Sequence, residues 1–210
     1  MDNSKNKENK GDAFIAEGSE VTCFLFEWFE VVVQSLIFVV FMLTFFFRLF
    51  TVQGSSMLNT LHNGDKLFVW RYDYKPTNGD IVVIKKFGDL PESIVKRVIA
   101  TEGQSLYVNS DDSSVYVDGK RINEPYIKEP YFSGGSLEIP EKIPEGYCFV
   151  MGDNRNNSTD SRELGAIKNE YVLGRAAGIY FPFNRIRGLP TAEQNSSSNS
   201  NTSTAASDNG

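Results

Sequence analysis

Ser93-Ile94-Val95-Lys96-Arg97-Val98-Ile99 holds two adjacent cations inside an otherwise apolar, β-branched run. Such a run reads as a strand, because Val and Ile pack well on a pleated surface and crowd a helix. Alternation places Ile94, Lys96, Val98 and Ala100 on one face, and Val95, Arg97 and Ile99 on the other. Upstream, Lys66-Leu67-Phe68-Val69-Trp70 and Asp80-Ile81-Val82-Val83-Ile84 are further short strands with turn residues between them. Downstream, Val115-Tyr116-Val117 and Lys120-Arg121-Ile122 flank Asp118-Gly119, a strong hairpin signal. Tyr147-Cys148-Phe149-Val150-Met151 runs into a Gly-Asp-Asn loop. Asn169 to Ala176 and Ile179-Tyr180-Phe181 close the series. Residues 51 to about 188 therefore read as mainly β, with no long helical pattern.

Outward from this region the composition changes twice. Residues 1–22 are polar and mixed in charge and read as a disordered tail, as does the Ser/Asn-rich segment 190–210. Residues 23–50 are densely apolar, and Val31 to Phe47 contains no charge. About 17–25 such residues cross a hydrocarbon core, so this stretch reads as one transmembrane anchor. Trp28 suits the membrane interface, where Glu27 and Glu30 stay hydrated. A buried core helix is the other reading, but the Phe- and Val-rich run leaves no polar face, and a small soluble domain could hardly cover it on all sides. A cleaved secretory signal would need a small-x-small site, and Arg48-Leu49-Phe50 follows instead. Charge near the anchor does not fix its orientation: Arg48 and Lys66 lie on one side, and Lys5, Lys7 and Lys10 lie far off on the other.

The 21 Lys and Arg against 27 Asp and Glu give a net charge of −6, without a basic cluster, so nucleic acid is not an expected partner. One His and two Cys form no metal-ligand spacing, and no metal or cofactor is expected.

Val52-Gln53-Gly54-Ser55-Ser56-Met57-Leu58-Asn59-Thr60-Leu61 follows the anchor and can expose a hydroxyl at a bend. By itself it also reads as a plain Gly-Ser linker. A serine nucleophile needs a base, and His62 reads as a surface loop residue. A lysine can replace histidine in that role. It titrates near 10.4 when free, and burial lowers that by up to 3–5 units. Lys96 in its apolar strand fits, whereas Arg97 stays charged and Lys85 and Lys86 end a strand.

Four segments occur in order: Ser56-Met57-x-x-Thr60-Leu61, Gly79-Asp80-Ile81-Val82-Val83, Lys96-Arg97-Val98-Ile99, and Gly152-Asp153-Asn154-Arg155-Asn156-Asn157-Ser158-x-Asp160-Ser161-Arg162. Together they resemble the boxes of bacterial type I signal peptidases, in the single-anchor form of Gram-positive members. The last box is long and specific. Asn123-Glu124-Pro125-Tyr126-Ile127 and Ile143-Pro144-Glu145-Gly146 extend the similarity, which covers roughly residues 25–188.

The resemblance implies an antiparallel β-sheet catalytic core over 51–189 with a smaller β insertion at about 101–145. It implies Ser56 as nucleophile and Lys96 as general base. It assigns Ser158 to holding the lysine amine, and Asp160 and Arg162 to a supporting ion pair. Val52, Met57, Leu61, Ile94 and Val95 match positions lining the pocket for the small side chain before the cut. Substrates would be signal-peptide-bearing preproteins cut after a small-x-small site, at the outer face of the cell membrane, near lipid and the secretion machinery. Three departures stand out. Asn59 replaces a usual proline, Gly54 occupies a position where some members carry an oxyanion hydroxyl, and Ala100-Thr101-Glu102-Gly103-Gln104 replaces a Gly-x-Pro-Gly-Asp loop. Two other readings share parts of this pattern. A self-cleaving repressor would carry a DNA-binding segment in place of the anchor, and a non-catalytic tethered assembly factor would lack the serine or the lysine.

Overall fold

The computed structural model describes residues 5–88, 90–109, 112–129 and 139–190, with side chains from residue 22. The chain divides into two units at residues 45 and 46. The first is one helix, α1, Lys5–Phe45. Its segment Thr22–Phe45 is long and apolar enough to cross a membrane, and it buries nothing against protein. Helix thus extends into the polar stretch that composition alone reads as disordered. Extending an existing helix adds one hydrogen bond per residue fixed, whereas nucleation is costly, so the apolar segment supplies the nucleus. The 190–210 tail lies outside the described residues from 191 onward.

The helix stops at Phe45 instead of running to residue 50, because Phe47–Thr51 forms a strand, β1. It pairs antiparallel with β2, Lys66–Trp70, from Phe47 opposite Trp70 to Thr51 opposite Lys66. Phe47 stands edge-on to the Trp70 ring at 5.2 Å. The pairing satisfies backbone groups that a helix end would leave open.

The remaining strands are β3 Ile81–Ile84, β4 Ile94–Thr101, β5 Leu106–Val108, β6 Val115–Val117, β7 Lys120–Arg121, β8 Tyr147–Met151, β9 Ile167–Lys168, β10 Val172–Phe181 and β11 Arg187–Gly188. A four-residue helix, α2, spans Ser161–Leu164. The main sheet has the order β1-β2-β10-β3-β4-β8-β9, with β11 on β10, and every pair is antiparallel. β5, β6 and β7 make a separate three-stranded sheet. The late strand β10 lies between β2 and β3, which follow one another in the chain.

β3 is buried on both faces, which explains its unbroken Ile-Val-Val-Ile sequence. Ile81 and Val83 join Val52, Met57, Leu61, Leu67, Val69 and Val95 in one core. Val82 and Ile84 join Val98, Cys148, Val150 and Ile167 in another. In β4 the expected alternation holds to Val98 and then breaks. A bulge between Val98 and Ala100 turns both Ile99 and Ala100 into a third core with Leu106, Val115, Val117 and Phe149. That core packs residues of β4 and β8 against the small sheet. Ala100 therefore does not share the Lys96 face.

Candidate active site

Ser56 sits in a tight turn between β1 and β2. Gly54 opens the turn with φ +84, a conformation that costs a glycine nothing, and its N–H donates to Asn63 Oδ1 at 3.0 Å. The turn closes through Leu58 N–H to Ser55 O and Leu61 N–H to Met57 O. Met57 and Leu61 are fully buried and fix the turn to the core, leaving the Ser56 hydroxyl half-exposed.

Lys96 reaches this hydroxyl from β4, its Nζ donating to Ser56 Oγ at 2.7 Å. The lysine is 2% exposed. Burial disfavours its charged form and lowers its pKa to about 8, against the opposing attraction of Asp160. His62 is exposed in the following loop, and Lys85 and Lys86 are half-buried and exposed.

The box at 152–162 folds over the pair. Asp160 caps α2, accepting from Arg162 N–H, and its side chain pairs with Arg162 Nε at 2.9 Å. Gly152 N–H donates to Asp160 Oδ2 at 2.9 Å and Ser158 Oγ donates to the same oxygen at 2.7 Å. Burial alone would raise the Asp160 pKa. The Arg162 hydrogen bonds and charge, with those two donors, hold it below the usual carboxylate value. The Ser158 proton is thus given to Asp160. Its oxygen keeps lone pairs for the amine, although no Ser158–Lys96 hydrogen bond is present among the described residues.

Gly152 is set where nothing larger fits. A Cβ there would stand 2.3 Å from Ser158 Oγ and 2.6 Å from the Ser56 carbonyl oxygen. Asn154 clamps the Ser56 turn twice: its N–H donates to Ser56 O at 2.9 Å and its Nδ2 to Ser55 O at 3.0 Å. Asn157 Nδ2 donates to Ser55 Oγ at 2.8 Å.

Sequence reading leaves Asp153, Asn154 and Arg155 without a site role and gives Arg97 only its fixed charge. The structure makes them a second buried frame. Arg97 Nε and Nη2 bind the two Asp153 oxygens at 2.8 and 2.7 Å, and Arg97 Nη1 donates to Gly79 O. Thr60 Oγ1 donates to Asp153 Oδ2, and the guanidinium lies 3.8 Å from the Tyr126 ring centre. Arg155 pairs with Glu124 and donates from Nε to Gly152 O. The available signal is that a buried arginine must be paired, since losing one partner of a buried pair costs about 3–5 kcal/mol. Spacing alone does not say which of the box's two aspartates Arg97 would take.

Of the five residues matched to the pocket before the cut, Val52, Met57, Leu61 and Val95 are core residues of one cluster, and Ile94 is half-buried. The cavity of about 700 Å³ beside Ser56 is instead lined by Gly54, Ser55, Arg155, Asn156, Asn157, Ser158, Thr159, Arg162 and Glu163.

Residues 25–181 match the family described as signal peptidase, peptidase S26. The chain belongs to that family. A signal peptidase I of Bacillus licheniformis is 38% identical over 175 residues, covering 78% of this chain and 92% of the relative. Signal peptidase I T of Bacillus subtilis (strain 168) is 39% identical over 173 residues, covering 77% and 88%. A crystal structure of a signal peptidase I from Enterococcus faecalis V583 aligns with 49% of this chain and 97% of its own, at 30% identity and TM-score 0.41. The protein is thus a signal peptidase of the type I kind, a serine peptidase and hydrolase with a mainly antiparallel β body and an apolar helix ahead of it. For a signal peptidase, the Ser56–Lys96 contact places a hydroxyl and a depressed-pKa amine within proton-transfer distance.

Proposed function

We propose that Ser56 is the nucleophile and Lys96 the general base that remove signal peptides from secreted preproteins. The 2.7 Å contact between Lys96 Nζ and Ser56 Oγ carries this reading. Neutral Lys96 takes the Ser56 proton as Oγ attacks the scissile carbonyl, and the Ser56 N–H donates to the oxyanion. Lysine, now an ammonium, returns that proton to the departing amine as the C–N bond breaks. Water then gives one proton to Lys96 and its hydroxide to the acyl carbon, and Lys96 passes that proton to Ser56 Oγ as the ester bond breaks. Asp160 and Arg162 hold the wall beside the lysine, and Ser158 is anchored to that pair. Gly54 offers no hydroxyl for a second oxyanion donor, and its N–H is already given to Asn63.

Val52, Met57, Leu61, Ile94 and Val95 support a small apolar subsite: buried side chains make its floor, so a large residue has no depth to enter. Incubation of the detergent-solubilised protein with a labelled preprotein tests the function. A small-x-small site with Ala before the cut should be cleaved. Phe or Lys at that position should stop cleavage by steric exclusion. Equal cleavage of all three would remove the assigned subsite.

The sign of the pH dependence follows from the base. The neutral amine is the active form, so kcat/KM should rise with pH through about 8 and fail in acid. A profile flat down to pH 5, with chemistry shown to be rate-limiting, would rule out a lysine base.

We further place α1 across the cell membrane as a single span, with the N-terminus inside and the catalytic unit outside, beside lipid and the exit of the secretion machinery. The apolar, unburied segment Thr22–Phe45 supports the span. Arg48 and Ser56 are joined by a connection of at most about 26–29 Å, which keeps the serine close to the lipid surface. Large C-terminal domains translocate largely regardless of flanking charge. Protease added to wall-stripped intact cells should digest the tail after residue 189 and spare an N-terminal tag. Protection of the tail would reverse the orientation.

A further inference from the structure

A peptide bond under attack extends to both sides of the nucleophile. The acyl side is assigned above to apolar residues, and none of them lines the cavity beside Ser56. That cavity is polar: Asn156, Asn157 and Thr159 are exposed on its wall, with Arg155, Arg162 and Glu163. The two guanidiniums are neutralised within the fold, Arg155 by Glu124 and Arg162 by Asp160. Glu163 is exposed and forms no ion pair among the described residues. The wall is therefore left with one uncompensated negative charge. Its field reaches the catalytic pair, since Glu163 is among the charges that favour the protonated form of Lys96.

We propose that this cavity receives the leaving side of the preprotein, the first residues of the mature chain, and that Glu163 favours a cationic over an acidic side chain there. The inference rests on Ser56 being the nucleophile. The departing nitrogen takes one proton from Lys96 and leaves as a neutral amine, so the charge that meets Glu163 on the high-pH plateau is that of the side chain near the new terminus. A carboxylate beside that terminus would meet Glu163 instead and be repelled.

The test uses the full chain in detergent and three preproteins identical except for the second residue after the cut, which is Lys, Gln or Glu. Rates are taken on the high-pH plateau, so that changes in Lys96 ionisation do not enter. Because the site is solvated, the Lys-to-Glu ratio of kcat/KM should be modest, about threefold to tenfold at low salt. It should shrink as salt shortens the screening length from about 10 Å at 0.1 M to 3 Å at 1 M. Glu163→Gln should flatten the ratio and Glu163→Lys should invert it. Inversion by a surface charge swap is not a result that misfolding can mimic. A ratio that is unity in the unaltered protein, or unchanged across both variants, overturns the proposal. If no preprotein is cut by the unaltered protein, the nucleophile assignment fails and takes this inference with it. Cleavage of the Gln preprotein without charge preference removes this inference alone.

Discussion

Ser56→Ala and Lys96→Met should each lower preprotein cleavage by at least about 10⁴-fold, as loss of a member of a nucleophile–base pair does. The two side chains share one hydrogen bond of 2.7 Å, so either substitution leaves no attacking oxygen or nothing to take its proton. The effects should not add, because the pair acts as a unit. Ser55→Ala is the informative neighbour. Its hydroxyl accepts from Asn157 Nδ2, and the Lys96 amine donates to Ser56 instead. Its loss should cost little. Purified variants assayed on one labelled preprotein, with circular dichroism to check folding, decide the matter. An inactive Ser55→Ala beside an active Ser56→Ala would move the nucleophile by one residue.

Gly152→Ala should place a damaging methyl directly in the site. The new carbon would stand 2.3 Å from Ser158 Oγ, 2.6 Å from Ser158 Cβ and 2.6 Å from the Ser56 carbonyl oxygen. All three lie in the site, so relief of the clash must displace the Ser56 peptide or the serine bound to Asp160. A shift of about 1 Å at a reacting group costs about 100-fold in rate, and overpacking costs about 1–3 kcal/mol in stability. We expect kcat to fall by at least about that factor and thermal unfolding to drop by several degrees. Gly188→Ala, where an added carbon meets nothing within 4 Å, is the control. Wild-type kcat in Gly152→Ala would show that the box yields without disturbing Ser56.

The sequence makes the strands with a strong apolar signature visible: β2, β3, β4, β8 and the β6–β7 hairpin stand where alternation and turn residues place them. β1 is hidden because Phe47-Arg48-Leu49-Phe50 continues the apolar run of α1 without a breaker. Its strand state comes from pairing with residues around Lys66, which no local pattern records. β5, β9 and β11 have two or three residues each, too few for a period to show. β10 reads as two pieces because Gly178 interrupts it. In the fold that glycine adjoins a bulge and lies against Arg187 O, where a Cβ would come within 2.8 Å. In the site, Lys96 is legible because a cation is out of place in an apolar strand, whereas the family boxes single out Ser56, whose segment alone reads as a Gly-Ser linker. The Arg97–Asp153–Thr60 frame is not, since its partners come from three distant segments. An apolar residue that floors a subsite and one buried only for packing look alike in sequence, and Val52, Met57, Leu61 and Val95 are buried in one cluster.

The position of β10 between β2 and β3 governs how the enzyme comes into being. Ser56 and Lys96 both belong to the early half of the chain, yet the sheet that holds them cannot close until residues 172–181 arrive. Pairings between segments so far apart in the chain must pay loop-closure entropy before any contact rewards them, which makes assembly slow relative to helical proteins. A polypeptide emerging N-terminal half first would therefore hold its reactive hydroxyl and its amine apart, with the facing edges of β2 and β3 unpaired. Proteolytic power is withheld from the nascent chain until nearly the whole body has been delivered.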